Sequence, residues 1–412
     1  MHAMRVGLLL ALCLSAAQWA MASGFHTGEH HTAYAGQATA GLTLTENAGV
    51  VAQLPAAMVR LDKGIHALGG LNYYVPKFDY EALNTGEKGS TTTPPVLGPF
   101  AYGVDNLGDW AFGAGLYFPF NVVIEYPLNW AGRGILTREE VNVGYMAFTG
   151  ARAITDDLSL GVSLNFIGAR VKLDQTQVVY PGTEVPTQLG GKGSATGFSF
   201  SALYELEHWS FAFIHSPGYD LEGEGKVLFD TSQDPALSAA FADGDVKVTL
   251  HMPSLTEAGV AWKEKRRDPD YTVELSMIRT GWSRYSDITI QFLSGRPSAE
   301  EVLERRWTDT TAFKVGGNYV LSRSGDTTHR IRGGIYLDQS PIPADTLEPS
   351  VPDGEGRKDL AVGYGYKSGP LALNAALFLI LFNDSQTSAT NSFPAKYGGD
   401  VMIYSFDVGY QF

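Results

Sequence analysis

The final nine residues of the chain, 404–412, read YSFDVGYQF and alternate apolar and polar side chains without interruption. A period of two is typical of a β-strand with one apolar face and one polar face. This stretch closes on the aromatic Phe412. The pattern predicts the terminal strand of an outer-membrane barrel, with Phe412 as an assembly signal for the barrel assembly machinery.

The same alternation recurs along the rest of the chain. It appears in thirteen segments, and the apolar run Leu371–Phe382 is long enough for a tilted barrel strand, which gives about fourteen strands. Single-chain bacterial barrels have an even number of strands. The segments are Gly64–Tyr74, Gly98–Val104, Trp110–Phe120, Val141–Arg152, Leu158–Leu173, Gly193–Tyr204, Ser210–Phe229, Val246–Trp262, Tyr271–Phe292, Thr310–Leu321, Arg330–Leu337, Leu360–Tyr366, Leu371–Phe382 and Asp400–Phe412.

The stretches between these segments alternate in length. Turns of roughly two to seven residues, such as Asp105–Gly108, alternate with stretches of roughly fourteen to twenty-three, such as Asn121–Glu140 and Asp174–Lys192. Short periplasmic turns and long external loops are the usual layout of outer-membrane barrels. The sequence therefore predicts an all-β fold, a transmembrane β-barrel of about fourteen antiparallel strands. A soluble β-sandwich or propeller is the alternative.

The composition agrees with a sheet that has one wet face and one lipid face. Of the 412 residues, 18% are charged, 12% are aromatic and 47 are glycine, and the formal net charge is −14. An acidic chain lacks the positive charge that binds phosphate backbones, so no nucleic-acid partner is expected. After residue 22 no apolar run reaches the ~20 residues that a transmembrane helix needs.

The first 22 residues have the pattern of a secretory signal peptide. Arg5 precedes an apolar run, and the triplet AMA at 20–22 fits the small-x-small rule for cleavage. We therefore expect a mature chain that begins at Ser23. The single cysteine, Cys13, lies within the signal. The mature chain then has no thiol for a disulfide, a nucleophile or a metal site.

Residues 23–63 separate the signal from the first strand and are too apolar for a solvated tail. A segment of this kind before a closed barrel most economically folds inside it. We therefore predict three parts: a signal peptide 1–22, an N-terminal hatch or plug 23–63 in the lumen, and an outer-membrane β-barrel 64–412. A periplasmic extension is the alternative for the second part.

Several stretches resemble, in order, the FadL/TodX (OmpP1) family of outer-membrane transporters for long-chain fatty acids and hydrocarbons. They are SGFHTGEHHTAYAGQATAG (23–41), NAGVVAQLPAAM (47–58), WAFGAGLYFPFN (110–121), HMPSLTEAGVAW (251–262), ELSMIRTGWSRYSDI (274–288), IRGGIYLDQSPIP (331–343) and VPDGEGRKDLAVGYGY (351–366). The resemblance covers essentially the whole mature chain. It implies the family's fold, its location in the bacterial outer membrane and its transport of hydrophobic compounds.

The resemblance also implies hatch residues. Phe25 and the triplet Leu54, Pro55 and Ala56 match the family's N-terminal hatch. The family's triplet is Asn-Pro-Ala, so Leu54 stands where an asparagine side chain makes contacts within the plug. The packing around Leu54 is therefore expected to differ from that of the family.

No motif for catalysis stands out. The sequence lacks a nucleophile elbow, a phosphate-binding glycine loop and a His-Glu-x-x-His helix. His26, His30 and His31 cluster, but this spacing is weak evidence for a metal, and a polar hatch surface is the preferred interpretation. His215 is closely followed by Pro217, which predicts a strand kink rather than a surface hydrolase site. We expect no enzyme activity, no metal and no cofactor.

Ligand capture is predicted in the external loops. Leu237, Ala240 and Phe241 have helical spacing, and Leu189 in another long loop would form the opposite wall. A small core within the loop is the alternative. The basic residues of these loops, Lys192 and Lys226, lie at strand edges, which favours neutral hydrocarbons or an aromatic substrate over fatty acids. Inward-pointing arginines of the barrel strands are the alternative partner for a fatty carboxylate.

The exit for ligand is implied by the resemblance. In the family an inward kink of the third strand opens the barrel wall, and the matching stretch here contains Gly113, Gly115 and Pro119. Such residues weaken ladder pairing and mark bends. The alternative is that the two glycines only make room for aromatic neighbours.

The predicted function is uptake of hydrophobic small molecules across the outer membrane by external capture, hatch movement and lateral diffusion. The expected partners are the hydrophobic ligand, outer-membrane lipid and lipopolysaccharide, and a monomer is expected. A general porin and a structural or adhesin barrel are the alternatives.

Phe412→Ala is expected to reduce insertion into the outer membrane without changing ligand binding, because Phe412 ends the last strand. The amount of heat-modifiable barrel in outer-membrane fractions measures this, with Gln411→Ala as the matched control. Wild-type amounts of the Phe412→Ala barrel would contradict a role of Phe412 as an assembly signal.

Overall fold

The computed structural model describes residues 24–285, 287–294 and 300–412, so the predicted signal peptide and Ser23 lie outside the described residues. The described part forms nineteen strands. They are β1 (Gly64–Ala82), β2 (Lys88–Ser90), β3 (Val96–Asn106), β4 (Trp110–Glu125), β5 (Arg138–Ala153), β6 (Leu158–Tyr180), β7 (Thr183–Glu205), β8 (Trp209–Ser216), β9 (Tyr219–Phe229), β10 (Gly244–Met252), β11 (Leu255–Lys263), β12 (Tyr271–Thr280), β13 (Asp287–Phe292), β14 (Glu300–Glu304), β15 (Thr310–Ser324), β16 (Thr327–Asp338), β17 (Arg357–Ser368), β18 (Leu371–Gln386) and β19 (Ala395–Gln411).

The sheet closes on itself. β1 pairs antiparallel with β19 on one side and with β3 on the other. Four barrel strands consist of two pieces, namely β8 with β9, β10 with β11, β12 with β13, and β14 with β15, while β2 is a short addition beside β1. The ladders therefore run through fourteen barrel strands, and the predicted 14-stranded antiparallel barrel is confirmed.

The pleat separates a lipid face from an inner face. In β19, Phe406, Val408 and Tyr410 are exposed on the outside, whereas Ser405 and Asp407 are buried towards the lumen. Large apolar side chains are exposed in the same alternating way on most other strands. An isolated soluble domain would leave this apolar band in water, whereas a bilayer covers it.

One predicted loop is wrong. The stretch 174–192 is a hairpin, because β6 and β7 pair from Leu158↔Tyr204 to Tyr180↔Thr183. A two-residue turn at Pro181-Gly182 connects them; proline followed by a glycine with a positive φ, here 86° at Gly182, is typical of a type II turn. Leu189 consequently lies in β7 rather than in a loop.

Two adjacent barrel strands are interrupted at the same level. β8 ends at Ser216 and β9 begins at Tyr219, so the kink expected at Pro217 is present. In the neighbouring strand, Pro253 lies between β10 and β11. Proline has no N–H to donate to a ladder, which explains why both strands stop there.

Candidate functional site

The N-terminal segment, residues 24–63, lies in the lumen. It contains two short helices, Thr32–Ala35 and Val50–Gln53, and a 3₁₀ helix, Pro55–Arg60. It packs against strands from β3 to β7 and from β17 to β19, and most of its side chains are buried. Among the helices of the described residues, none has the length and apolarity needed to cross a membrane.

Two inward-facing carboxylates of the barrel hold the N-terminal segment by its backbone. Glu274 of β12 accepts hydrogen bonds from the N–H of Leu42 (2.6 Å) and Thr43 (3.0 Å) and from the Thr43 hydroxyl (2.6 Å). Asp407 of β19 accepts one from the N–H of Thr32 (3.0 Å). These bonds give the buried carboxylates the partners that burial requires.

A third attachment is ionic. Glu46 of the N-terminal segment forms salt bridges with Arg330 and Arg332 of β16; its Oε2 lies 2.5 Å from Arg332. Burial acts to raise the pKa of Glu46, but the two guanidinium groups outweigh it and lower this pKa to about 2. Glu46 is therefore ionised at neutral pH.

The third barrel strand, β4, is paired with its neighbour β3 along only part of its length. β3 pairs with β4 only from Asn106↔Ala111 to Ala101↔Leu116. On the other side, the ladder with β5 shifts register between Tyr117 and Phe120, around Pro119. The wall is therefore broken between β3 and β4 beyond Leu116; we call this the β4 break.

The first described residues of the chain cover the inner side of the β4 break. The N–H of Thr27 donates to the carbonyl of Pro119 (2.8 Å), and the N–H of Asn121 donates to the carbonyl of Phe25 (3.1 Å). His26 and Phe120 form the β-bridge between them. The N-terminal segment thus supplies backbone partners that β3 does not.

Gly113 and Gly115 lie below the β4 break, within the regular ladder. A Cβ on Gly113 would be 2.7 Å from Met58 Sδ and 2.8 Å from Val51 Cγ2, and one on Gly115 would be 2.5 Å from Tyr102 Cδ1. The two glycines therefore give room to the N-terminal segment and to an aromatic neighbour, while the irregularity itself lies at Pro119. A role of Gly113 and Gly115 in a lateral exit stays a prediction.

Aromatic rings fix the N-terminal end of the segment. Phe25 packs against Phe120 (5.8 Å between ring centroids), Trp282 (5.2 Å), Tyr285 (5.3 Å) and Trp307 (6.0 Å). The last three come from the connections around β13 and β14, across the lumen from β4. Edge-to-face contacts of this kind add to the apolar burial of Phe25.

Beside these rings lies a cavity of about 70 Å³. The N-terminal segment contributes His30, Tyr34 and Gln53 to its lining, and the barrel contributes the residues around the β4 break together with Gly197, Phe198, Ser216 and Pro217. We call it the inner cavity. Its walls are mainly aromatic and aliphatic, which suits an apolar occupant.

The ionisable groups of the inner cavity carry no net charge. The Lys314 ammonium is 2.9 Å from the Glu257 carboxylate, and both are buried. Burial lowers the pKa of His30 to about 3 and holds the pKa of His26 well below its usual range. Both histidines are therefore neutral at pH 7.

The histidine cluster has partners other than a metal. His31 is hydrogen-bonded to Gln53 (2.6 Å), and the ring of His30 packs against Tyr117. Within the residues that the structure describes, no three His, Cys, Asp or Glu side chains are arranged to hold a metal ion.

The predicted capture residues lie at the external end of the barrel. Leu237 and Phe241 pack against a small buried cluster of Val185, Val227, Phe229 and Val246, while Ala240 is exposed. Leu189 lies on β7 opposite Val227 in the ladder. This is the packing of a loop core, and ligand contact at these residues remains a prediction.

The predicted hatch triplet, Leu54, Pro55 and Ala56, lies in the last part of the N-terminal segment, shortly before β1. Leu54 is fully buried in its apolar core, and Pro55 starts the 3₁₀ helix. The N–H of Ala56 donates to Ser201 Oγ of β7 (2.9 Å). Leu54 thus contributes apolar burial at the predicted departure from the Asn-Pro-Ala triplet.

The comparisons with known proteins agree with this architecture. A family model described as outer membrane protein transport protein (OMPP1/FadL/TodX) matches residues 13–412. The chain belongs to this family. As an OMPP1/FadL/TodX barrel, it is an outer-membrane transport protein of bacteria.

Named relatives cover most of the chain. The chain is 22% identical over 401 residues to the long-chain fatty acid transport protein of Escherichia coli K12, with 87% of each chain covered. It is 23% identical over 405 residues to outer membrane protein P1 of Haemophilus influenzae, covering 88% of this chain and 86% of that one.

Solved structures share the fold. A Pseudomonas aeruginosa FadL homologue superposes with a TM-score of 0.83 at 16% identity, over 95% of this chain and 100% of that one. The toluene transporter TodX of Pseudomonas putida gives a TM-score of 0.70 at 17% identity, over 95% of this chain and 99% of that one.

Sequence reasoning missed the residues that attach the N-terminal segment. Glu274, Asp407 and Arg332 lie at inward positions of their strands, where a charged side chain needs a partner. The sequence does carry a signal for them, namely a charged residue at a strand position whose side chain faces the lumen. It identifies the residues, but their partners in the N-terminal segment become visible only in the fold.

Glu46→Gln is expected to loosen the N-terminal segment, because it leaves the buried Arg332 guanidinium without a carboxylate and Arg330 with Asp268 alone. Breaking a buried pair from one side costs about 3–5 kcal/mol, whereas an exposed pair is worth about 0–1 kcal/mol. Hydrogen exchange at residues 40–60 should accelerate, while Glu222→Gln, which removes an exposed pair with Lys247, should change nothing.

The same attachment predicts a pH dependence. Glu46 has a lowered pKa, so its contribution is complete above the ordinary pKa near 4.5 and is lost as the pH falls towards about 2. Protection of residues 40–60 that is equal in wild type and Glu46→Gln at pH 7 would contradict the role of this ion pair.

Proposed function

We propose that this protein carries hydrophobic small molecules, long-chain fatty acids or hydrocarbons, from the outside into the outer membrane. The observation that carries this proposal is the β4 break, a gap in the barrel wall covered from inside by residues 25–27 of the N-terminal segment. Moving that segment would connect the lumen to the surrounding lipid. The N-terminal segment then acts as a hatch.

The physical problem of such transport is release rather than binding. Burial gains roughly 0.8 kcal/mol for each CH₂ group, so a long acyl chain binds strongly to any closed apolar pocket. A pocket of fixed shape would keep it. A hatch that rearranges can weaken the pocket, and an opening in the wall lets the ligand pass directly into hydrocarbon.

The substrate class is supported by the relatives. The Escherichia coli relative is named a long-chain fatty acid transport protein, and the Pseudomonas putida structure is named a toluene transporter. The neutral inner cavity of this chain can accept the apolar part of either ligand. We propose capture at Leu189, Leu237, Ala240 and Phe241, and exit past Gly113, Gly115 and Pro119.

Transport by this route needs no catalytic step and no cofactor, so we propose none. We further propose that the protein works as a monomer among outer-membrane lipid and lipopolysaccharide, and that the barrel assembly machinery recognises Phe412. The outward-facing apolar band supports direct contact with lipid.

A general porin would behave differently in planar bilayers. The N-terminal segment fills the lumen and is held there by Glu46, Glu274 and Asp407. We therefore expect no large steady ionic conductance from the purified barrel. A steady conductance comparable to that of an open porin would contradict the proposal.

A disulfide between positions 26 and 120 tests the hatch directly. Because the hydrogen bonds flank His26 and Phe120, these two residues form a non-hydrogen-bonded antiparallel pair, with Cα atoms expected about 4.5 Å apart. That distance lies within the range that a disulfide spans. The single natural cysteine, Cys13, lies in the predicted signal peptide.

Oxidised His26→Cys/Phe120→Cys protein should take up oleate and hexadecane at least about tenfold more slowly than the reduced protein, since a barrier higher by about 1.4 kcal/mol already has this effect. Reduction should restore the rate in the same cells. The two single-cysteine variants control for the lost side chains. Equal uptake in both redox states would show that residues 25–27 need not leave β4.

A further inference from the structure

The barrel wall has a second break, between β7 and the strand formed by β8 and β9. β7 pairs with β8 from Glu205↔Ser210 up to Phe200↔His215, and with β9 only from Ser194↔Glu222 onwards. The five residues Ala195–Ser199 have no ladder partner on this side. We call this the β7 break.

The sequence prevents closure of the β7 break. Pro217 lacks the N–H that a regular ladder would use, and it lies directly opposite the unpaired part of β7. The next strand cannot compensate, because it is interrupted at Pro253 and stays in register with its neighbour on both sides of the interruption. Both strands are therefore interrupted together opposite the unpaired part of β7.

The inner cavity extends to the residues of the β7 break. Its lining includes His30 and Gln53 of the N-terminal segment and, at the other end, Phe198 and Pro217. Phe198 is 58% exposed on the lipid face. At the β4 break, by contrast, the lining residues Tyr117, Pro119 and Phe120 are all buried.

The chemistry of the inner cavity selects against an anion. Its one ammonium group, Lys314, is already paired with Glu257, and the histidines of the lining are neutral at pH 7. A carboxylate that entered would lose its hydration without gaining a free cation. The cavity therefore favours a neutral hydrophobic molecule.

We infer that the β7 break is a second lateral opening, through which a small neutral hydrocarbon passes between the inner cavity and the membrane while the N-terminal segment stays in place. The inference rests on the proposed function. The inner cavity borders both breaks. They differ because residues 25–27 cover the β4 break from inside, whereas Phe198, a lining residue at the β7 break, is exposed on the lipid face.

Gly197 offers a way to narrow this opening. A Cβ on Gly197 would be 3.2 Å from Ile167 Cδ1 and 3.8 Å from Tyr219 Cδ1, so a larger side chain would occupy the space between them. Gly168 on the adjacent strand β6 is the matched control, because a Cβ there meets nothing within 4 Å. Phe198→Ala tests the opposite change, a wider opening, since Phe198 faces lipid and can be shortened without disturbing the core.

The experiment uses the His26→Cys/Phe120→Cys protein, oxidised so that the β4 break stays covered, in cells with intact lipopolysaccharide. Initial uptake of radiolabelled toluene should persist in this locked protein. Adding Gly197→Leu should lower the initial rate of toluene uptake about tenfold or more, because a modest rise in the free-energy barrier to passage has this effect. Gly168→Leu should leave it unchanged, and Phe198→Ala should raise it.

The outcomes separate this inference from the proposed function. If the locked protein takes up no toluene while its reduced form does, or if Gly197→Leu and Phe198→Ala both leave the locked rate unchanged, the second opening is contradicted and the proposed function stands. If the wild type takes up no toluene, oleate or hexadecane beyond cells without the protein, the proposed function fails and this inference fails with it. Heat-modifiability of each variant confirms that a folded barrel is being compared.

Discussion

A backbone that crosses hydrocarbon must satisfy its own hydrogen bonds, because lipid offers no partners. A closed barrel does this for every strand except where a ladder stops. At the β4 break the ladder to β3 stops, and the N-terminal segment supplies partners through Thr27 and Phe25. The same few hydrogen bonds therefore hold this segment in position and complete the barrel wall.

This constraint explains why the segment is attached by buried polar groups rather than by apolar packing alone. Glu274, Asp407 and Glu46 each lie where a carboxylate needs a partner, and each finds it across the interface between segment and barrel. Such contacts fix one arrangement strongly. They also weaken sharply once one partner moves or is neutralised, which is useful for a hatch that has to change position.

The strands were predictable because the membrane imposes a strict alternation of side chains, and the kink at Pro217 followed from the missing N–H. The hairpin of β6 and β7 was missed because polar residues and Gly190-Gly191 resemble a loop, and only the turn at Pro181-Gly182 indicates otherwise. The attachments of the N-terminal segment were beyond sequence reasoning. They join residues up to 375 positions apart, and neither partner has a local pattern that specifies the other.

The central claim is that the residues covering the β4 break leave it when a hydrophobic ligand is transported. Residue-resolved hydrogen exchange at the amides of Thr27 and Asn121, in nanodiscs with and without oleate or hexadecane, tests it most directly. The account predicts protection without ligand and faster exchange with it, while the amide of Leu116, in the regular part of β4, stays unchanged. Protection of Thr27 and Asn121 that is unaffected by a ligand the protein transports would contradict it.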